Sequence, residues 1–262
     1  MRSPVGVALL LASLVASATP AAAQTTGNPQ QTTSPPPLRS SPSDFLIGQP
    51  RGLLAVRGGW LFANTGTDLY DFVTDRLTVD GRDFNTTSLS ADFGISIGPR
   101  FDVLATLEQA ETSIPSQYRD FVDTGGVEIT QNTRREEWTI SGSVRLALLP
   151  RGRRISRFAW LPRTFTPYLG VGGGAVKYDF QQYGSFVDFQ TLRVFNDDFS
   201  SKGWAPTAHA LGGVDVRLYR RLYLTTEARY TWSSAKLDAD FVGFEPVSLG
   251  GLRTSAGLQI VF

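Results

Sequence analysis

Cysteine is absent from this chain of 262 residues. Disulfide bonds and metal-thiolate sites are therefore excluded, and backbone pairing and packing must hold the fold together. An excess of charge is missing too, because the formal net charge is +1, and such a balance gives no indication of nucleic-acid binding. We expect no metal ion, no cofactor and no nucleic-acid partner.

Long apolar runs are also missing, since no segment offers the roughly 20 continuous apolar residues that a transmembrane helix needs. A shorter apolar run, Val5 to Ala16, follows Arg2 and precedes the small residues Ala21, Ala22 and Ala23. This pattern predicts a secretory signal peptide over residues 1–23.

Two segments follow the predicted signal. Residues 24–51 are rich in Thr, Gln, Pro and Ser, and this composition cannot bury enough apolar surface to offset the entropy lost on ordering. We therefore expect a disordered linker there. Residues 52–262 have a reasonable length for one all-β domain.

The last segment, residues 251–262, alternates in polarity. Apolar or lipid-tolerant side chains occupy every second position from Leu252 to Phe262, and Arg253 and Gln259 belong to the other set. Successive side chains of a strand point to opposite faces, so one face is apolar and the other polar. An apolar wall that faces outward and a polar one that faces inward are typical of a transmembrane β-barrel.

Similar segments precede it and bring the number of predicted strands to eight. The eight predicted strands are Leu53–Ala63, Thr86–Ile97, Phe101–Thr112, Arg135–Leu148, Thr166–Phe180, Trp204–Leu218, Leu222–Ser234 and Gly250–Phe262. Short connections at 98–100 and 219–221 alternate with the long ones at 64–85, 113–134, 181–203 and 235–249. This asymmetry is expected of a membrane barrel, with 149–165 as the irregular long member of the short set.

Charged residues recur on the predicted inner face, while aromatic residues cluster near the strand ends and predict two belts at the membrane interfaces. The belt toward the long connections contains Trp60, Phe62, Trp138, Trp204, Tyr230 and Trp232, and the other contains Phe101, Tyr168, Tyr219 and Phe262. The glycine-rich strand at 166–180 fits either parity.

The final residues Gly257-Leu258-Gln259-Ile260-Val261-Phe262 resemble the assembly signal of the opacity-protein-like superfamily, small outer-membrane barrels of Gram-negative bacteria. Pro167 to Gly172 resembles a strand-opening pattern of the same group. The resemblance implies an all-β fold, a transmembrane antiparallel barrel of eight strands in an up-and-down meander, with both termini in the periplasm. It also implies that the barrel-assembly machinery recognises Gly257, Ile260 and Phe262. It implies little about activity.

Six inward charges are the first candidates for a site. The lumen of an eight-stranded barrel is just wide enough for side chains, so we expect these charges to pair as a plug in preference to lining a pore. If the turn at 219–221 sets the register, Glu227 faces Gly213 and Arg229 faces Leu211, and the small residue leaves room for a charge pair. The six are Arg57, Arg145, Asp215, Glu227, Arg229 and Arg253.

His209 is the only histidine and shares its inward parity with Ser141, Ser143 and Ser255. A hydrolase would need a nucleophile activated by such a base. Nothing adjacent in sequence pairs with His209, so we expect a hydrogen-bonded lumen residue and no catalytic site.

Three other segments have two interpretations each. The basic and aromatic residues from Arg151 to Arg163 fit either an inner-leaflet contact with the rings in lipid or a solvated turn. The strand-like segments Phe186–Phe195 and Phe72–Val79 fit either hairpins that extend beyond the membrane or an ordinary loop cap, and the cap is favoured because native proteins protect exposed strand edges.

These patterns predict a monomeric outer-membrane anchor or surface-interaction scaffold that displays four external loops, with lipid as its surroundings and an external partner left open. A small porin-like channel for small or hydrophobic solutes is an alternative, and so is an enzyme that modifies lipid A or phospholipid acyl chains. A soluble ligand-binding barrel would need apolar residues inside and charge outside.

Overall fold

The computed structural model describes residues 45–123, 125–238, 241 and 243–262. The predicted signal peptide and residues 24–44 of the predicted linker lie outside this part. No helix in the described ranges is long and apolar enough to cross a membrane.

The strands are β1 (Leu46–Ile47), β2 (Gly52–Ala63), β3 (Thr86–Ile97), β4 (Phe101–Val122), β5 (Glu128–Ala147), β6 (Gly152–Arg154), β7 (Ala159–Pro162), β8 (Phe165–Val187), β9 (Val194–Tyr219), β10 (Leu222–Ala235), β11 (Val247–Ser248) and β12 (Gly251–Val261). Helix α1 (Asp68–Arg76) and a 3-10 helix (Gly81–Phe84) lie between β2 and β3.

Eight of these strands, β2 to β5, β8 to β10 and β12, close into one antiparallel ring. Each pairs with the ring strands before and after it in the chain, and β12 closes the ring by pairing with both β10 and β2. At the end of this seam the Gly52 amide donates to the Phe262 carbonyl at 2.8 Å. The predicted up-and-down meander of eight strands is confirmed.

The two ends of the barrel differ. The turn end carries the short connections 98–100 and 220–221 together with the long connection 148–164. The loop end carries the connections 64–85, 123–127, 188–193 and 236–250.

Alternation along each ring strand places apolar side chains outside and polar ones inside. On β12, Leu258 and Ile260 are about half exposed, whereas Arg253 and Gln259 are buried. On β3, Phe93 is exposed and Asp92 is buried beside it. A soluble barrel needs the opposite arrangement, and the alternative of a soluble ligand-binding barrel is therefore wrong. The outer wall is suited to contact with the hydrocarbon of a membrane.

The apolar outer wall has the height of a bilayer core. Along β5 and the residue that follows it, this wall runs from Trp138 to Leu148, both exposed, a distance of about 34 Å along the chain. At the usual strand tilt this spans roughly 24–28 Å along the barrel axis, which matches the apolar band of a membrane barrel. Exposed rings mark both edges of the band, Trp60, Trp204 and Trp232 toward the loop end and Phe101, Tyr219 and Phe262 toward the turn end.

Strand β8, whose parity the sequence leaves open, places Tyr168 inside the barrel. Tyr168 is buried, while Leu169 and Val171 are exposed on the outer wall. The prediction that Tyr168 belongs to an interfacial belt is therefore wrong. Its hydroxyl lies 3.2 Å from a carboxylate oxygen of Glu227, an acceptor that the lumen supplies and a lipid interface does not.

Four ring strands continue well beyond the apolar band. Strands β8 and β9 stay paired up to Val187 opposite Val194. Strands β4 and β5 stay paired up to Gln117 opposite Thr130 and pair again, after a register shift, at Val122 opposite Glu128. At Phe186–Phe195 both interpretations are partly correct, because the β8–β9 hairpin extends to Val187 and Val194 while Phe189 at its tip lies 6.5 Å from Phe72, between ring centroids, in the favoured cap. The predicted strand character of Phe72–Val79 is wrong, because this segment begins in α1 and ends in a single bridge between Leu77 and Tyr118.

A small second sheet covers the turn end. Strands β6 and β7 form a hairpin, and β1 pairs with β7 so that Leu46 lies opposite Trp160. The folded part thus begins before residue 52, inside the predicted linker, because this pairing and the burial of Leu46 fix the segment. Trp160 is 6% exposed, which contradicts the interpretation that its ring lies in lipid.

These positions predict opposite behaviour for two tryptophans. In a chain that retains only Trp204, which is 61% exposed on the outer wall, lipids brominated near the top of the acyl chain should quench most of the fluorescence. In a chain that retains only Trp160, the same lipids should leave the fluorescence nearly unchanged, because protein separates the ring from the bilayer. Equal quenching of the two single-tryptophan chains would contradict this fold.

Candidate functional site

The lumen contains two networks of arginine and carboxylate side chains. In the first, Arg57 bridges two strands, with Nη1 2.7 Å from Asp92 and Nη2 3.3 Å from Glu227. Arg229 pairs with the same Glu227 oxygen at 2.9 Å and lies 3.9 Å from Glu108. One oxygen of Glu227 thus contacts two guanidinium groups, and Asp92 and Glu108 supply the further negative charge.

The first network continues toward the loop end. Arg253 pairs with Glu108 and, at 3.0 Å, with Glu137. Glu137 also pairs with Arg135, whose Nη1 donates to the Tyr70 hydroxyl at 3.0 Å. Tyr70 belongs to α1, so the lumen network reaches the segment that covers the loop end.

The second network lies toward the turn end. Arg145 is wholly buried, with Nη2 2.9 Å from Asp102 and 3.5 Å from Asp215. The same nitrogen donates to Gln259 Oε1 at 3.4 Å. Arg151 reaches in from the connection before β6 and pairs with Asp102.

Charge is balanced in both networks. Among the described residues, the ion pairs of the first network join four arginines with four carboxylates, and those of the second join two of each. A buried charge without a partner is costly, so this balance is what allows so many ions inside a narrow barrel. The side chains fill the lumen that the ring of eight strands leaves.

All six lumen residues predicted from the sequence lie in these networks. Asp92, Asp102 and Glu108 also belong to these networks, and their parity on β3 and β4 is the inward one. Arg135 and Glu137 were missed although they share the parity of Arg145, which is the signal that would have found them. Arg151 was missed because it enters the lumen from a connection, where parity does not apply.

The predicted register across β9 and β10 is confirmed, since Glu227 lies opposite Gly213 and Arg229 opposite Leu211. Gly213 makes room mainly for the Tyr168 side chain, because a Cβ at this position would lie 2.5 Å from the Tyr168 hydroxyl oxygen. The Tyr168 ring in turn faces the Arg145 guanidinium, whose carbon lies 4.2 Å from the ring centroid. The two networks therefore meet around Tyr168, which contacts Glu227 and Arg145 at once.

His209 has a partner that the sequence did not reveal. Ser143 Oγ lies 2.8 Å from His209 Nε2, and both residues are buried. They lie two strands apart, with Gly172 between them in the register, and any side chain at Gly172 would collide with the imidazole. Within the described ranges, no carboxylate hydrogen-bonds to the His209 ring, so the pair lacks the third group that orients a catalytic base.

The proposed assembly-signal residues line the seam of the barrel. Ile260 and Phe262 are exposed on the outer wall, near the turn end. Gly257 lies opposite Arg57 of β2, and a Cβ there would come within 2.0 Å of the Val56 carbonyl oxygen. A glycine is thus required for the close approach of the two strands.

The loop end carries a packed cap with its own apolar core. Leu69, Tyr70 and Val73 of α1 pack with Phe180 of β8 and with Leu249, which precedes β12. All these side chains are buried. The connections 64–85 and 236–250 therefore do not form separate loops, because they fold together over the lumen with strand β8.

The ion networks predict a non-additive effect of two substitutions. Arg145→Met should lower the free energy of unfolding by about 3–5 kcal/mol, because it leaves two buried carboxylates with one arginine. Adding Asp215→Asn should recover part of this loss, because the remaining Arg151 and Asp102 balance each other. Unfolding in denaturant, followed by heat-modifiable gel migration, measures both, and a double variant less stable than Arg145→Met alone would contradict the pairing.

No protein-family model matches the chain, and no curated protein matches it. Among solved structures, the chain is similar to Neisserial surface protein A, with 13% identity, a TM-score of 0.43, and coverage of 84% of this chain and 98% of that one. It is also similar to the outer membrane protein OprG from Pseudomonas aeruginosa (14% identity, TM-score 0.41, coverage 83% and 99%) and to Ail of Yersinia pestis (14%, 0.36, 80% and 99%). By its own ring closure and inverted faces, the chain is a small transmembrane β-barrel of eight strands, the fold of the superfamily that its sequence resembles.

Proposed function

We propose that this protein is a sealed outer-membrane barrel that serves as a rigid anchor for a folded external cap. The observation that carries this proposal is the filled lumen, in which twelve charged side chains neutralise each other. Solute passage would require several of these buried pairs to separate, and each separation leaves charges unpaired in a narrow space.

Both ends of the lumen support the same interpretation. At the turn end, the cavity between Trp160, Arg151 and the barrel wall is about 30 Å³, which leaves room for only about two or three water molecules. At the loop end, the cap core lies over the first network, and the contact between Tyr70 and Arg135 ties the two together.

The surroundings follow from the predicted signal peptide and from the outer wall. We propose that the turn end faces the periplasm and the loop end faces the outside, because bacterial barrels have short periplasmic turns and longer external loops. The partners are then outer-membrane lipid along the apolar band and the assembly machinery, at Gly257, Ile260 and Phe262, during insertion. The protein acts as a monomer, since the ring closes within one chain and leaves no ring strand unpaired.

Planar bilayers test the seal. The purified protein should show no stable conductance steps above the lipid baseline, while a general porin added to the same bilayers shows them. Reproducible unitary steps that persist at moderate voltage would reject the sealed barrel and favour the small-channel alternative.

The contact between Ser143 and His209 is the one observation that favours an acyl-modifying enzyme. We propose no catalytic role for it, because both side chains are buried in the lumen wall among the ion pairs and face away from the lipid. An acyl chain in the membrane would have to cross the barrel wall to reach Ser143.

Lipid analysis tests this point. Overexpression of the wild-type chain should leave the acyl composition of lipid A and phospholipids unchanged, and overexpression of Ser143→Ala should give the same profile. Loss or transfer of an acyl chain with the wild type, and not with Ser143→Ala, would establish an enzyme instead.

A further inference from the structure

The cap encloses a cavity that the anchoring role does not explain. Its volume is about 200 Å³, and its lining is mostly apolar and comes from three of the loop-end connections and from the ends of strands β4, β5, β8 and β9. Helix α1, the β4–β5 and β8–β9 hairpins and the segment before β11 all contribute side chains. Seven phenylalanines line it, among them Phe72, Phe189, Phe199 and Phe244.

The rim of the cavity is an exposed aromatic patch. Phe72, Phe189 and Phe195 are each at least 40% exposed, although they lie beyond the lipid band. Exposed apolar clusters on an otherwise polar surface commonly mark binding sites. The rings are held by one another, with Phe72 5.6 Å from Phe244 and 6.5 Å from Phe189 between centroids.

Arg76 gives the rim a positive charge. Its guanidinium carbon lies 4.4 Å from the Phe189 centroid and 5.6 Å from the Phe72 centroid. No carboxylate in the described part of the chain forms an ion pair with it. Because Arg76 already occupies the ring faces, a second cation would be repelled there, whereas a carboxylate would form a charge-assisted hydrogen bond.

The inner wall contains a polar atom without a partner. Gln131 of β5 is 6% exposed, and its Oε1 accepts no hydrogen bond from the described residues. Leaving a buried acceptor unsatisfied is unfavourable, so a donor on a bound molecule would be stabilised at this position. Burial raises the pKa of the nearby Tyr118 hydroxyl, so this side chain stays neutral and does not repel an anion.

We propose that the cavity binds a small aromatic carboxylate, with its ring among the phenylalanines, its carboxylate on Arg76 at the rim, and a hydroxyl at its far end on Gln131. The size fits one ring, because an apolar cavity of about 150 Å³ is known to hold benzene. This role goes beyond the anchor and does not depend on the lumen.

Calorimetric titration of the folded full chain in detergent micelles tests the proposal, with empty micelles as the blank. 4-Hydroxyphenylacetate should bind with a dissociation constant below about 1 mM, and phenethylamine, which has the same ring size and opposite charge, should bind at least tenfold more weakly. Equal binding of the two probes, or no binding of the acid, would overturn the proposal.

Two variants assign the polar contacts, and heat-modifiable migration verifies that each is folded. Arg76→Gln should weaken 4-hydroxyphenylacetate at least tenfold, while the matched change Arg220→Gln in the exposed turn between β9 and β10 should have no effect. Gln131→Leu should abolish the preference for 4-hydroxyphenylacetate over phenylacetate. Unchanged affinity in Arg76→Gln, or an unchanged preference in Gln131→Leu, would overturn the assigned contacts, whereas the conductance of the barrel reports on the anchor separately.

Discussion

Closure of eight strands is the constraint on which the rest of this structure depends. It fixes a lumen that is just wide enough for the side chains that fill it. Every charge that points inward must then find an opposite charge within a few ångströms, because neither bulk water nor lipid is there to solvate it. Arg57, Arg145 and their partners meet this requirement by sharing carboxylates, so that no single pair stands alone.

The same ring supports the cap. Strands β4, β5, β8 and β9 leave the membrane still paired, so the cap rests on a continuous sheet instead of on free loops. Tyr70 connects the two parts, since its ring packs in the cap core while its hydroxyl accepts from Arg135 in the lumen. The paired strands and the contact between Tyr70 and Arg135 hold the cap in place, so that seven phenylalanine side chains can line a cavity without filling it.

Much of the barrel could be predicted from the sequence, because contact with lipid requires an apolar side chain at every second position of a strand. This alternation can be read directly from the sequence. The bounds at the turn end were accurate for this reason. At the loop end four predicted strands were too short, since the outer face beyond the lipid does not need apolar residues. Two ended early, at Thr112 and Phe180, and two began late, at Arg135 and Trp204. The contact between Ser143 and His209 could not be predicted either, because it requires the register of three strands and the parity of β8 is hidden by its glycines.

The first described segment has a mechanical consequence. Strand β1 pairs with β7 through only two residues of each strand, whereas β2 and β12 are paired along nearly their whole length. Tension applied through the chain ahead of residue 45 therefore acts first on the short pairing of β1 with β7. The β1–β7 pairing therefore separates first under force, and the pairing of β2 with β12, which closes the barrel, is protected from mechanical load.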